Sequence, residues 1–248
     1  MQIIQAYVTQ NPLYQQYTRI RVRKLVLHSV GCPQPSAAVF ARQWQTARYF
    51  AHAVLQADGT VYQVAPWDCR LMHVGAANAY SIGVEMTEPD CIRYTGGATF
   101  VCSDWARAVA QVSGTYKTAV ELFAYLCGAF GLDPMNDIMS HNEAGKLGIG
   151  TDHVDPEHLW RQLGTGYTMD GFRRDVAEAM KNGAREEALD MPRYDSVAEM
   201  PQWARAGVQR LIDRGVLSGV GNGKLDLSLD MIRTMLVCQR MLDEQKET

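Results

Sequence analysis

The segment from Asp137 to Trp160, DIMSHNEAGKLGIGTDHVDPEHLW, places three of the chain's six histidines among several carboxylates in a turn-rich stretch. Imidazole and carboxylate groups ligate transition metals and move protons near neutral pH. The apolar pair Ile138 and Met139 reads as a short strand delivering His141, and Gly145, Gly148 and Gly150 argue against a periodic helix over the next turns. His153-Val154-Asp155-Pro156 closes the stretch, with Pro156 placed to open a helix, since its missing N–H costs nothing in a first turn. A histidine leaving a strand and a carboxylate held before such a helix can converge on a metal if a third ligand comes from elsewhere.

The run Lys24 to Val30, KLVLHSV, offers that ligand: it is apolar, strand-length and carries His28 in its interior. An imidazole buried there needs partners at both nitrogens. For each histidine alone a hydrogen-bonded core role is the plain alternative; the joint pattern favours zinc. Two histidines and a carboxylate with an open fourth position form a catalytic composition, whereas structural zinc sites close the shell with cysteine. The six cysteines, at 32, 69, 91, 102, 127 and 238, contain no Cys-x-x-Cys pair.

His28, Ser81-Ile82-Gly83-Val84-Glu85, and His141 with His153-x-Asp155-Pro156 resemble the zinc-dependent N-acetylmuramoyl-L-alanine amidases of the type-2 family, which also includes phage lysozyme-type amidases and peptidoglycan recognition proteins. Ala57 to Trp67, then His73-Val74-Gly75 and Asn78, is similar to that family's hairpin and following loop. The resemblance runs from about His28 to Trp160 and implies a mixed sheet covered by helices. It implies zinc on His28, His141 and Asp155, Glu85 as the group passing a proton from water to the leaving amine, and His73 and Asn78 lining a glycan-peptide groove. His153 stands where many members carry a lysine facing the oxyanion, so it either stabilises that charge or binds zinc itself. The plain alternatives are a solvated strand-edge glutamate at 85 and an ordinary loop histidine at 73. His158 reads as structural, and Glu143, Asp152 and Glu157 read as solvated charges.

The elements needed to hold these residues can be read from pattern. Ser36 can cap a helix from Ala37 to about Phe50. Strands at His52 to Ala57 and Thr60 to Val64 meet at Asp58-Gly59, a hairpin signal, and Ile82 to Met86 is the next strand. Helices are expected at Ser103 to Val112 and Thr115 to Phe130, stopped by Gly131, with the last strand at Asp137 to Ser140. Helices alternating with strands give an α/β chain with a mixed sheet flanked by helices. Cys127 reads as core, the methionines as core filling, and Cys91 and Cys102 as thiols that staple the loop between them only if oxidised.

The 248 residues allow one sizeable core and a small annex. A net charge of −3 gives no sign of nucleic-acid binding, and no apolar run approaches the ~18 residues of a membrane span. The N-terminus lacks the features of a secretory signal, which fits a phage or prophage endolysin kept in the cytoplasm until released onto the cell wall. The expected division is an amidase domain over residues 1–182, a linker over 183–193, and a helical module over 194–248. In that module Trp203-Ala204, Gly215-Val216-Leu217-x-Gly219 and Arg233 resemble one S-layer homology motif, which implies wall binding, while two helices in about 55 residues bury little apolar area alone and are expected to dock on the amidase domain or to pair with another copy as a homodimer. The expected reaction is hydrolysis of the bond between N-acetylmuramic acid and L-alanine in peptidoglycan. The competing readings are a non-cleaving peptidoglycan binder and a zinc peptidase cutting within the stem peptide.

Overall fold

A computed structural model describes residues 1–190 and 193–244. In chain order the elements are β1 (Gln2–Gln5), α1 (Pro12–Gln16), β2 (Lys24–Ser29), α2 (Ala37–Gln43), β3 (Ala53–Leu55), β4 (Thr60–Gln63), β5 (Ser81–Met86), β6 (Ile92–Gly96), β7 (Thr99–Cys102), α3 (Trp105–Phe130), α4 (Pro134–Asp137), β8 (Ile138–Ser140), α5 (His141–Lys146), α6 (Glu157–Leu163), α7 (Met169–Asp190), β9 (Arg193–Tyr194), α8 (Gln202–Asp213), β10 (Leu227–Ser228) and α9 (Leu229–Glu244). Contacts divide the chain into two units, Met1–Asn182 and Gly183–Thr248.

The first unit is built on a six-stranded sheet of order β1-β4-β3-β5-β2-β8. The β3–β4 hairpin is antiparallel and every other pairing is parallel, so the expected mixed sheet flanked by helices is what forms. Because successive strand residues point to opposite faces, Leu25, Leu27, Ile82, Val84 and Met86 fall on one face and His28 and Glu85 on the other. The first face packs against α3, α6 and α7 through Ala119, Leu122, Phe123, Leu126, Leu159, Trp160 and Phe172. The second carries only small apolar clusters around Val26, Met139 and Val54, and this thinner cover leaves space for a cleft.

Several expectations change in detail. The two helices expected between Ser103 and Phe130 are one, because Gly114 is a contact rather than a break: a Cβ there would stand 2.6 Å from Ala57 Cβ and 2.7 Å from Ala57 O. The helix from Ala37 ends at Gln43, and Ser36 makes no side-chain cap bond, since Gln56 Oε1 accepts the Ala37 N–H at 3.1 Å. Gly145 lies within α5 instead of preventing it, where the Ser140–Glu143 capping box starts the helix and Thr151 O would be 2.8 Å from a Cβ at 145. The segment 183–193, expected as a linker, is helical as far as Asp190, in line with the good helix formers Ala, Arg, Glu and Leu that it contains; residues 191 and 192 lie outside the described residues.

In the second unit α8 and α9 meet at Gly207, which leaves room for Leu236, and Ser228 Oγ accepts the Met231 N–H at 3.2 Å at the start of the last helix. The unit also holds an antiparallel pair, β9 with β10, within the module expected to be helical.

Gly114→Ala tests the α3 packing. Helix propensity alone favours alanine by about 1 kcal/mol, but overpacking costs about 1–3 kcal/mol. The expected result is a lower denaturation midpoint in urea with an unchanged slope, a net loss instead of a gain.

Candidate active site

In the parallel β2–β5 pair, His28 and Glu85 are direct partners, so their side chains stand next to each other on the thinly covered face. On the other side of β2, Leu27 pairs with Ser140, which brings His141 to the level of His28 at the mouth of the next helix. Asp155 arrives from the loop before α6. That loop is sewn to the one carrying His73: Thr151 N donates to Val74 O at 2.8 Å and Ala77 N to Ile149 O at 3.1 Å. Where the loops cross, a Cβ on Gly75 (φ +123°) would be 3.2 Å from Gly150 Cα, so glycine is required.

His28 Nδ1 lies 3.0 Å from His141 Nδ1 and 3.3 Å from Asp155 Oδ2, and His141 Nδ1 lies 3.5 Å from Asp155 Oδ1. All three residues are buried, His28 to 1% exposure. One hydrogen can bridge the two ring nitrogens, but the nitrogen that accepts it then also faces an Asp155 oxygen with no hydrogen between them, whereas a cation among the three groups satisfies them all. A tetrahedral shell with bonds of about 2.0–2.2 Å has edges of about 3.3–3.6 Å, close to the spacings found here. The donor set therefore fits zinc: two imidazoles and one carboxylate.

Burial pushes His28 toward the neutral form, partly opposed by Asp155. Burial also works against ionisation of Asp155, yet hydrogen bonds with His141, His153 and His28 outweigh it and hold the carboxyl well below its usual range. Glu85 goes the opposite way: burial, then Asp155 and Glu88, raise it well above the usual range, and its sealed Oε2 has no partner. One carboxylate is thus kept as an anion and its neighbour kept ready to hold a proton, the division of labour seen when environments push paired acids apart.

These groups open into a cavity of about 630 Å³ lined by five of the six histidines, 28, 73, 141, 153 and 158, and by Phe40, Trp44, Tyr49, Phe50 and Met72 on an apolar side. Tyr94, Gly97 and Ala98 of the β6–β7 hairpin form another wall.

Residues 18–158, more than half the chain, match the family described as N-acetylmuramoyl-L-alanine amidase. The chain belongs to that family. Among solved structures the amidase is similar to Staphylococcus aureus hydrolase AmiA in complex with its ligand (19% identity, TM-score 0.55, covering 75% of this chain and 86% of that one). It is also similar to PlyL (18%, 0.52, 71% and 97%) and to the catalytic domain of XlyA (18%, 0.50, 71% and 99%). At these identities the likeness concerns the fold. No curated protein matches the chain.

Within the amidase unit the structure brings His28, Glu85, His141, His153 and Asp155 together. His153 stacks on His141 with centroids 4.1 Å apart and planes at 6°, and its Nδ1 lies 3.4 Å from Asp155 Oδ1. His73 stands on the cavity wall and also reaches His28 Nε2 at 3.0 Å. Asn78, expected in the groove, is 3% exposed, and its Oδ1 accepts the His73 and Val74 N–H groups at 3.0 Å each, so it shapes the loop. Glu157 is no solvated charge: it accepts from Ser140 Oγ at 2.8 Å and Asn142 Nδ2 at 3.0 Å. Glu143 is likewise engaged, in the capping box and with Arg173. His158, read as structural, is 3% exposed and lies on the cavity wall. Cys91 and Cys102 are free thiols.

Sequence reasoning missed Thr151, whose Oγ1 lies 2.8 Å from His141 Nε2, and the line Glu88–Tyr94–His158, in which the Tyr94 hydroxyl is 2.7 Å from both Glu88 Oε2 and His158 Nε2. Glu88 follows a strand beside Pro89, where a solvated turn charge is the natural reading, and nothing local reveals its burial.

Burial raises the Glu88 carboxyl from 4.5 to about 7 despite hydrogen bonds from Tyr94, Ser29 and Gly31. The folded state then holds a proton that the unfolded chain releases between these values, so this group's contribution to stability falls as pH rises from about 4.5 to 7. Glu88→Gln is expected to make the denaturation midpoint less sensitive to pH across that window and to raise it relative to wild type at pH 8, measured by urea titration at several pH values.

Proposed function

We propose that this amidase is a zinc-dependent, endolysin-like peptidoglycan hydrolase that cleaves the bond between N-acetylmuramic acid and L-alanine. The observation that carries the reading is the convergence of His28 Nδ1, His141 Nδ1 and the Asp155 carboxylate beside a half-buried glutamate with a sealed, unpaired oxygen, all on one cavity wall. His28, His141 and Asp155 would hold the metal. Zinc bound there supplies Lewis acidity toward a carbonyl oxygen and lowers the pKa of water from ~15.7 toward ~7.

The remaining work falls to the chain's own groups. Glu85, held with a raised proton affinity, takes a proton from the attacking water and delivers it to the departing amide nitrogen. His153 is read as the group facing the developing oxyanion: its side chain is 55% exposed toward the cavity it lines, and its hydrogen bond with Asp155 raises its proton affinity. The apolar side of Phe40, Trp44, Tyr49 and Phe50 suits the faces of a sugar ring, and the wall formed by Tyr94, Gly97 and Ala98 suits a short peptide. The second unit is read as a wall-attachment or pairing module, supported by the exposure of Trp203 (53%), Val216 (65%) and Val220 (68%). No helix among the described residues is long and apolar enough to cross a membrane.

Purified protein is expected to contain about one zinc per chain, as a single three-ligand centre requires, and to lose activity on chelation and regain it with added zinc. Glu85→Gln should retain the metal while turnover on muropeptide falls about 10²- to 10⁴-fold; full activity in demonstrably metal-free protein would refute the reading. Mass spectrometry of the released fragments identifies the new amine, with L-alanine expected and a residue within the stem peptide indicating a peptidase.

A chain ending at Asn182 retains every group assigned to the reaction. It is expected to cut soluble muropeptides at close to the full-length rate and intact walls more slowly, because tethering raises local substrate concentration. Co-sedimentation with walls and solution mass separate attachment from pairing.

A further inference from the structure

Behind His28 lies a line of donors and acceptors that the reaction above does not use. His28 turns Nδ1 toward His141 and Asp155, while its Nε2 lies 3.0 Å from His73 Nδ1. His73 Nε2 in turn is 3.4 Å from both the carbonyl oxygen and Oγ of Ser81, and Ser81 Oγ donates to Ala77 O at 2.7 Å. The His73 ring rests on β5 at Gly83, where a Cβ would come within 2.4 Å of its Nδ1 and 2.7 Å of its Cγ. Any side chain at 83 would push the ring away, which accounts for a glycine inside a buried strand.

We propose that His73 is a positioning residue that fixes His28 in the ring orientation and tautomer able to ligate through Nδ1. The proposal rests on the zinc reading and follows from counting hydrogens. The Ser81 hydroxyl hydrogen is committed to Ala77, so both Ser81 oxygens can only accept from His73. A neutral His73 with its hydrogen on Nε2 meets them and leaves Nδ1 as an acceptor. The hydrogen between the two imidazoles then belongs to His28 Nε2, and His28 Nδ1 presents a lone pair to the site. The reverse arrangement sets a lone pair of His73 against the Ser81 oxygens. It also forces the hydrogen of neutral His28 onto Nδ1, between His141 and Asp155, where it would occupy the place of a cation. Outer partners of metal-bound imidazoles are most often carboxylates or carbonyls, and their loss costs about 10–100-fold in metal affinity. A neutral imidazole in that role orients the ligand without adding a second negative charge beside Asp155.

The test uses full-length, zinc-loaded protein labelled with ¹⁵N-histidine, in which two-bond ¹⁵N–¹H correlations report the nitrogen that bears each hydrogen. His73 is expected as the Nε2–H tautomer; the Nδ1–H tautomer overturns the proposal, and this measurement needs no variant. Zinc affinity, measured by competition with a chromophoric chelator, is expected to fall about 10–100-fold in His73→Ala and to recover most of that loss in His73→Asn, whose Oδ1 can accept where Nδ1 did. Wild-type affinity in His73→Ala, or equal losses in both variants, overturns it. Wild-type protein that binds no zinc defeats the functional reading itself, whereas tight wild-type binding with an unaffected His73→Ala defeats only the role given to His73.

Discussion

The site depends first on the register between β2 and β5. His28 and Glu85 are neighbours only because Leu27 pairs with Val84 and Leu25 with Ile82, one and three positions back along the same two strands. A slip of one residue would turn His28 into the apolar core and bring Leu27 to the cavity. What prevents it is on the opposite face, where Leu25, Leu27, Ile82, Val84 and Met86 are all buried under α3, α6 and α7. Burying each such side chain is worth about 1.5–3 kcal/mol, far more than the polar contacts of the site contribute. The apolar face holds the alignment and the polar face uses it.

Given that alignment, the electrostatics follow from how many partners each carboxylate finds. Asp155 meets the Ser29 N–H and three imidazoles and stays ionised despite being buried. Glu85 stands on β5 beside His28, has an oxygen with no partner, and feels the charge of Asp155, so the proton is favoured. The same functional group on the same wall thereby acquires opposite habits. His52 shows the contrasting case: fully buried, with both ring nitrogens satisfied by Cys69 O and Gly83 N, it is pushed down to about 4 and serves the core alone.

How much of this could be read from the chain depended on the range of the interaction. His28 and Glu85 stood out because each is a single titratable group inside a short apolar strand, and His141 and Asp155 because glycine and proline marked the turns that present them. The same local logic misread Gly114 and Gly145 as breaks, since a glycine needed for close approach looks the same in sequence as one that ends a helix. Asn78 carried the right residue type in the right loop, but whether its carboxamide faces outward or closes on its own backbone is settled by packing. Glu88, Tyr94 and His158 were unreadable for a simpler reason: Tyr94 and His158 are 64 positions apart, and no spacing rule links them. The β9–β10 pair was missed because strands of two residues leave no periodicity to detect.

The crossing of Gly75 and Gly150 has a bearing on how such a chain can drift. Two loops that carry ligands and their supports meet there backbone to backbone, held by main-chain hydrogen bonds from Thr151 to Val74 and from Ala77 to Ile149, with Val74, Ala77 and Ile149 in one small apolar cluster. The main-chain hydrogen bonds make no demand on side-chain identity, so substitutions outside the small apolar cluster need no compensating partner, provided both positions remain glycine. The demands of the crossing are thereby concentrated in a pair of glycines and a few small apolar side chains, and the rest of each loop can be rewritten while Asp155 is still delivered to the same point.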